Sequence, residues 1–162
     1  MKTILAPVDF STVSDTVVAE AATLARALHG RVILLAVIQP PPVVAEYAPL
    51  MQDIAEITIA GEKSAARKLA AIQQKLQSDF VPAETVQLVG SPVQHILAES
   101  ERVAADYIVM GSHGHSALYD LLVGSTTHGV LMRARCPVLI VPAPRTAKKP
   151  TKRRAHRAMA SI

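Results

Sequence analysis

Along the chain, short unbroken apolar runs alternate with longer stretches in which apolar residues return every three or four positions. The runs at 3–8, 31–38, 84–89, 107–110 and 138–141 are rich in Val, Ile and Leu. Their length and composition predict strands, and their continuous hydrophobicity predicts burial on both faces of a sheet. The first helical stretch carries Val17, Val18, Ala21, Leu24, Ala25 and Leu28, with Ser11 or Ser14 as the expected N-terminal cap and Gly30 as the expected C-terminal cap. A second, long one runs from about 50 to 77, with Ile54, Ile57, Ala65, Leu69, Ile72 and Leu76 on its expected buried side and Gly61 as its interior weak point. Gly90-Ser91-Pro92 opens a third helix, with Ser91 as cap, Pro92 in the first turn and Val93, Ile96, Leu97 and Val103 turned inward. A fourth is expected from about 125 to 134. Pro40, Pro41 and Pro42 forbid both helix and ladder, so 39–49 is an expected loop.

This alternation predicts a single-domain, doubly wound α/β fold, with five parallel strands and helices on both faces of the sheet. Ligands of such sheets bind beyond the carboxyl ends of the strands, where the strand order reverses. Asp9, Ile38 and Gly111 each follow or end a strand and are therefore expected to converge on one crevice.

Composition narrows the class. Half of the 162 residues are hydrophobic but only 3% are aromatic, so the core must be built from Val, Leu, Ile and Ala. No apolar run approaches the ~20 residues of a membrane helix. Lys2 leads straight into the first strand without a cleavage site, so no signal peptide is expected. Cys136 is the sole cysteine, which excludes an internal disulfide and agrees with a reducing, cytoplasmic location; it reads as a small hydrophobe beside a strand. The net charge of +4 belongs to one end: seven of the seventeen basic residues, and no acid, lie in 145–162. Residues 1–144, the expected domain, carry ten basic and thirteen acidic residues, a net charge of −3. The 145–162 segment is expected to be a disordered basic tail, a solvated extension rather than a contact for nucleic acid or an anionic surface.

The candidate chemistry lies in 106–129. The strand 107–110 stops at Gly111, Gly114 follows, and nine residues later Gly124 precedes Ser125, Thr126 and Thr127 at a helix start. Glycines allow a close backbone approach, and a helix start presents amide donors and the positive end of its dipole. Strand, glycine loop and helix start together make a phosphate cradle. There is no Gly-x-x-x-x-Gly-Lys-Ser/Thr loop and no Gly-x-Gly-x-x-Gly fingerprint, so neither a P-loop enzyme nor a dinucleotide site is expected.

With Ile4-Leu5-Ala6-Pro7-Val8-Asp9 near the start and Cys136-Pro137-Val138-Leu139-Ile140-Val141 near the end, the spacing Gly111-x2-Gly114-x9-Gly124-Ser125 resembles the universal stress protein family, in its ATP-binding branch. The resemblance covers residues 1–142 and leaves out the tail. It implies a Rossmann-like sheet of order 3-2-1-4-5, a homodimer, and ATP in the crevice, with a divalent ion such as Mg or Mn bridging the phosphates. Carried over by residue, Asp9, with Pro7 and Val8 before it, would meet ribose or adenine, and Val37 or Ile38 would offer backbone to adenine. Gly111, Gly114, Gly124, Ser125 and Thr126 would hold ribose and phosphates, with Met110 lining the pocket and His113 within reach of phosphate.

Other roles are less well supported by the residues. His113, His115 and His128 have no carboxylate or cysteine beside them at a recognisable metal spacing, so they read as surface histidines. Asp120 or Asp9 could orient a water, but no nucleophile–base pair is apparent; at most slow ATP hydrolysis is expected. The expected function is a nucleotide-binding regulatory module. The alternatives are a nucleotide-independent interaction protein and a slow ATP hydrolase. Val138–Val141, as a terminal apolar strand, would leave an edge unpaired, so pairing with a second copy is expected there.

Overall fold

In the computed structural model the structure describes residues 1–39, 51–112 and 124–142. The elements alternate as the apolar pattern dictates: β1 (Thr3–Pro7), α1 (Ser14–Ala27), β2 (Arg31–Ile38), α2 (Met51–Ser78), β3 (Ala83–Val89), α3 (Pro92–Arg102), β4 (Tyr107–Gly111), α4 (Ser125–Leu131) and β5 (Val138–Val141). The five strands form one sheet of order β3-β2-β1-β4-β5, and all four pairings are parallel. The chain starts in the middle strand, winds outward through β2 and β3, and then crosses to the other side of β1. The reversal falls between β1 and β4.

Alternation along the strands sorts the core into two layers. Ile4, Ala6, Val32, Leu34, Ala36 and Val109 pack with Val17, Ala21 and Ala25 of α1 and Leu69 and Leu76 of α2. Leu5, Ile33, Leu35, Ile108 and Met110 face the opposite way, onto Ile96 of α3 and Val130 of α4. Most of these side chains are wholly enclosed. Aliphatic side chains fill both layers, as a composition nearly free of aromatics requires. Half-buried Cys136 packs into the second layer, and burial pushes its thiol pKa up, which keeps it a neutral hydrophobe.

Helix ends depart from the sequence reading. Neither serine caps α1: the cap position falls on Val13, and Ser14 spends its hydroxyl on Asp9. Ser91 does occupy the cap of α3, in extended conformation and ahead of Pro92, but its side chain makes no capping bond. At the end of α1 the left-handed residue is His29 (φ 49°), with Gly30 one position later. The His29 amide bonds the carbonyl of Arg26 and the Gly30 amide that of Ala25, the paired bonds of a Schellman motif. The same arrangement ends α2 at Phe80 and α3 at Ala104, each with positive φ. Gly30 is needed for space instead, because β1 begins against it.

Along α2 the expected stripe holds only in the C-terminal half. Ala65, Leu69 and Leu76 are buried and Ile72 packs against them, whereas Ile57 is 62% exposed. At 28 residues α2 is longer than the eight-residue β2 and seven-residue β3 it packs on, so its early turns reach past the sheet. The side chain of Ile54 and the proline loop lie outside those residues, as does the 145–162 tail. The fourth helix ends at Leu131, short of the expected 134. Among the described residues no helix is long and apolar enough to cross a membrane.

Candidate functional site

The site is built where the sheet reverses direction. At the carboxyl ends of β1 and β4 the two neighbouring strands lead to opposite sides, and a cleft opens between their following segments. Its volume is about 390 Å³, within the range of small-molecule sites. Pro7, Val8 and Asp9 enter from the end of β1, Val37 from β2, Met110 and Gly111 from β4, and Gly124, Ser125 and Thr126 from the start of α4. Nine residues singled out in the sequence thus line one hollow. Ile38 does not: alternation along β2 turns Val37 toward the cleft layer and Ile38 the other way. His113, Gly114, His115 and Asp120 lie outside the described residues.

Several lining residues escaped the sequence reading. Leu35, Pro92 and Ile96 supply an apolar wall together with Val37 and Met110, while Ser11, Ser14 and Thr127 add hydroxyls. The wall forms across the sheet, between β2 and α3, and local spacing carries no signal for such a meeting. Ser11 and Ser14 were visible, but as capping candidates. Gln39, just past β2, also lines the cleft.

Asp9 is fixed by its own turn. Phe10 adopts a left-handed conformation (φ 61°), which folds the chain back so that the Ser11 amide donates to Asp9 Oδ1 at 3.0 Å. Ser14 Oγ donates to the same oxygen, also at 3.0 Å. The Phe10 ring packs against the core, 5.0 Å from Lys68 Nζ of α2. Ser11 Oγ is buried with no hydrogen-bond partner among the described residues.

Across the cleft, β4 and α4 are tied together at both ends of the intervening loop. The Gly124 amide donates to the carbonyl of Ser112 at 2.7 Å, and Thr127 Oγ1 donates to the carbonyl of Gly111 at 2.7 Å. Ser112 in turn donates its amide to the carbonyl of Val141 at 2.8 Å, which draws β5 into the same frame. The opening amides of any helix lack intrahelical acceptors, so the turn held here faces the cleft with donors. The hollow therefore has an apolar wall, a carboxylate acceptor and a hydroxyl-bearing turn. Among the described residues no group of three or more His, Cys, Asp or Glu is placed to hold a metal. His128 sits exposed on α4.

A doubly wound sheet with such a cleft is the architecture of the nucleotide-binding-like α/β proteins. Within that class the chain belongs to the universal stress protein family, whose family model matches residues 1–142. A relative from Coxiella burnetii, universal stress protein A homolog 1, is 34% identical over 143 residues, covering 86% of this chain and 95% of its own. The solved structure of the universal stress protein UspA from Lactobacillus plantarum aligns with a TM-score of 0.79 at 25% identity, covering 86% of this chain and 97% of that one. A universal stress protein from Archaeoglobus fulgidus, solved in complex with dAMP, shares the fold with a TM-score of 0.60 at 22% identity, over 86% and 97% of the two chains.

Proposed function

We propose that this chain is an ATP-binding regulatory module of the universal stress protein family, working as a homodimer with little or no catalysis. The observation that supports it best is the convergence of Asp9, Val37, Met110, Gly111, Gly124, Ser125 and Thr126 on one hollow of nucleotide size at the strand reversal. Adenine fits the wall of Leu35, Val37, Ile96 and Met110, flat and apolar. The Asp9 carboxylate accepts from ribose hydroxyls or the adenine amine, and Ser125 and Thr126 at the start of α4 donate to phosphate oxygens, with Gly124 leaving room for their approach. A divalent ion, Mg or Mn, would be held chiefly by the phosphates themselves. The dAMP complex of the Archaeoglobus fulgidus relative agrees with an adenine nucleotide as ligand.

In this reading occupancy of the cleft, rather than turnover, is the signal. The dimer uses β5, which stands at the sheet edge with Leu139 42% exposed. Residues 1–144 make up the nucleotide-binding domain and 145–162 a basic tail outside it. Calorimetric titration with ATP tests the reading. The parent binds with measurable heat, and Gly124→Val, which puts a branched side chain into the cleft, weakens binding at least tenfold. A parent that gives no heat overturns the proposal.

A further inference from the structure

Resting on that reading, the geometry points to Ser14 as a positioning residue: through its hydroxyl it holds the Asp9 carboxylate in the orientation that receives the nucleoside half of the ligand. Ser14 is 5% exposed, lines the cleft and opens α1. The cap position before α1 falls on Val13, so Ser14 stands one residue inside the helix and its hydroxyl has no capping duty. It donates to Asp9 Oδ1 at 3.0 Å. The carboxylate thereby gains a donor fixed on the first turn of α1.

Two donors converge on that one oxygen. The Ser11 amide supplies a second donor at 3.0 Å, across a turn in which Phe10 takes a left-handed conformation. Such a conformation is costly for a side chain of that size and persists only where its surroundings impose it. The surroundings are the core against which Phe10 packs and the Lys68 ammonium of α2 beside its ring. Two donors on Oδ1 fix the carboxylate plane and keep it an acceptor, so it meets hydroxyl and amine donors and rejects anions. It therefore recognises a nucleoside and contributes nothing to phosphate binding. Preorganisation of this kind appears as affinity because the carboxylate no longer has to be ordered on binding.

The discriminating experiment separates the two halves of the ligand. Adenosine and inorganic tripolyphosphate are titrated separately, alongside ATP, into the full-length parent, Ser14→Ala and Ser14→Thr, with thermal melting of each protein as the check on folding. Ser14→Ala loses about fivefold to tenfold in affinity for adenosine and for ATP, while its tripolyphosphate affinity stays within twofold of the parent. Ser14→Thr, which keeps the hydroxyl and places its methyl toward the cleft, recovers most of the adenosine affinity. Equal losses for adenosine and tripolyphosphate mark a merely structural role and overturn the inference, as does a Ser14→Thr protein no better than Ser14→Ala. A Ser14→Ala protein that binds adenosine like the parent also overturns it, with the ATP reading left standing. A parent that binds neither adenosine nor ATP defeats the ATP reading and this inference together.

Discussion

Thr127, in the first turn of α4, donates its hydroxyl proton to the carbonyl of Gly111 at the end of β4, 2.7 Å away and sixteen residues earlier in the chain. Thr127 is only 4% exposed, so water cannot easily replace it. Valine has nearly the same shape but cannot donate, and would leave the Gly111 carbonyl short of its partner. Such a loss costs about 1–3 kcal/mol. Thr127→Val is therefore expected to lower stability in urea by that amount and to weaken ATP binding, because the turn facing the cleft is no longer tied to β4. Thr127→Ser keeps the donor and is expected to fall between the two. Matched denaturation curves for the parent, Thr127→Val and Thr127→Ser check this; a Thr127→Val protein as stable as the parent would remove the tie from the account.

At the opposite end of the sheet, Asp106 joins β1 to β4. Its Oδ1 accepts from Lys2 Nζ at 2.6 Å, its Oδ2 from the Thr3 amide at 2.8 Å, and its own amide donates to the Thr3 carbonyl at 2.8 Å. The Lys2 hydrogen bond first, then the Thr3 amide, hold the Asp106 carboxyl below the usual carboxylate range. A carboxyl whose folded pKa is depressed stabilises the protein above its unfolded pKa and loses that contribution as pH falls through the folded value. The same bond, followed by the charge of Asp106, raises Lys2, whose contribution is lost only as pH climbs through its raised pKa. The expected result is an acid-side fall in melting temperature that is shallower in Asp106→Asn, measured from pH 5 downward. The two curves should approach each other at the acid end. Parallel curves would mean that another carboxylate governs the acid limb.

Gly30 and its neighbour His29 make opposite demands. A Cβ on Gly30 would stand 2.5 Å from the Lys2 carbonyl oxygen and 2.9 Å from Ile4 Cδ1. The first of these is backbone just ahead of β1, held by the Arg31 amide at 2.8 Å, and cannot swing away, so Gly30→Ala should cost about 1–3 kcal/mol through forced displacement. His29 is exposed and left-handed (φ 49°), a conformation glycine adopts without strain. His29→Gly is expected to stabilise by about 0.5–1 kcal/mol, the strain relieved outweighing the extra freedom of the unfolded chain. Chemical denaturation of the two variants tests the pair. If Gly30→Ala were harmless, the close approach of β1 would not be the reason for the glycine.

These two positions show what the sequence could and could not disclose. The sheet was legible because each strand is an unbroken aliphatic run, and β2 and β5 fall at the residues the pattern marks. Gly30 was legible as a helix stop but not in its cause, since steric contact with Lys2 joins residues that no local pattern connects. Ser14 misled because a serine before a helix usually caps it, whereas the helix begins at Ser14 itself and its hydroxyl meets Asp9. Ile57 followed helical spacing perfectly well, but spacing says which side of a helix is apolar, not how far the sheet extends beneath it. In the cleft, the residues beside glycines and strand ends were readable. Leu35, Pro92 and Ile96 were not, because their common wall exists only after α3 docks on β2.

The edge strand supplies the last prediction. Ile108 donates its amide to the carbonyl of Pro137, and Ser112 donates its amide to that of Val141. In a parallel ladder alternate residues turn their N–H and C=O toward the same neighbour. Residues 137, 139 and 141 therefore serve β4, and Val138 and Ile140 direct their backbone groups away from it. A second copy of the chain pairing along β5 would use the amides of Val138 and Ile140. Proline at 140 removes one of these donors without touching the bonds to β4, and edge strands tolerate proline. Ile140→Pro should therefore shift the protein from dimer to monomer in sedimentation equilibrium while leaving calorimetric ATP binding within a fewfold of the parent. Leu139→Lys, which places a charge on the exposed side chain beside the same edge, should weaken association without removing an amide. A parent that is monomeric at all concentrations would exclude the β5 dimer. A dimer that survives Ile140→Pro would place the contact on another surface.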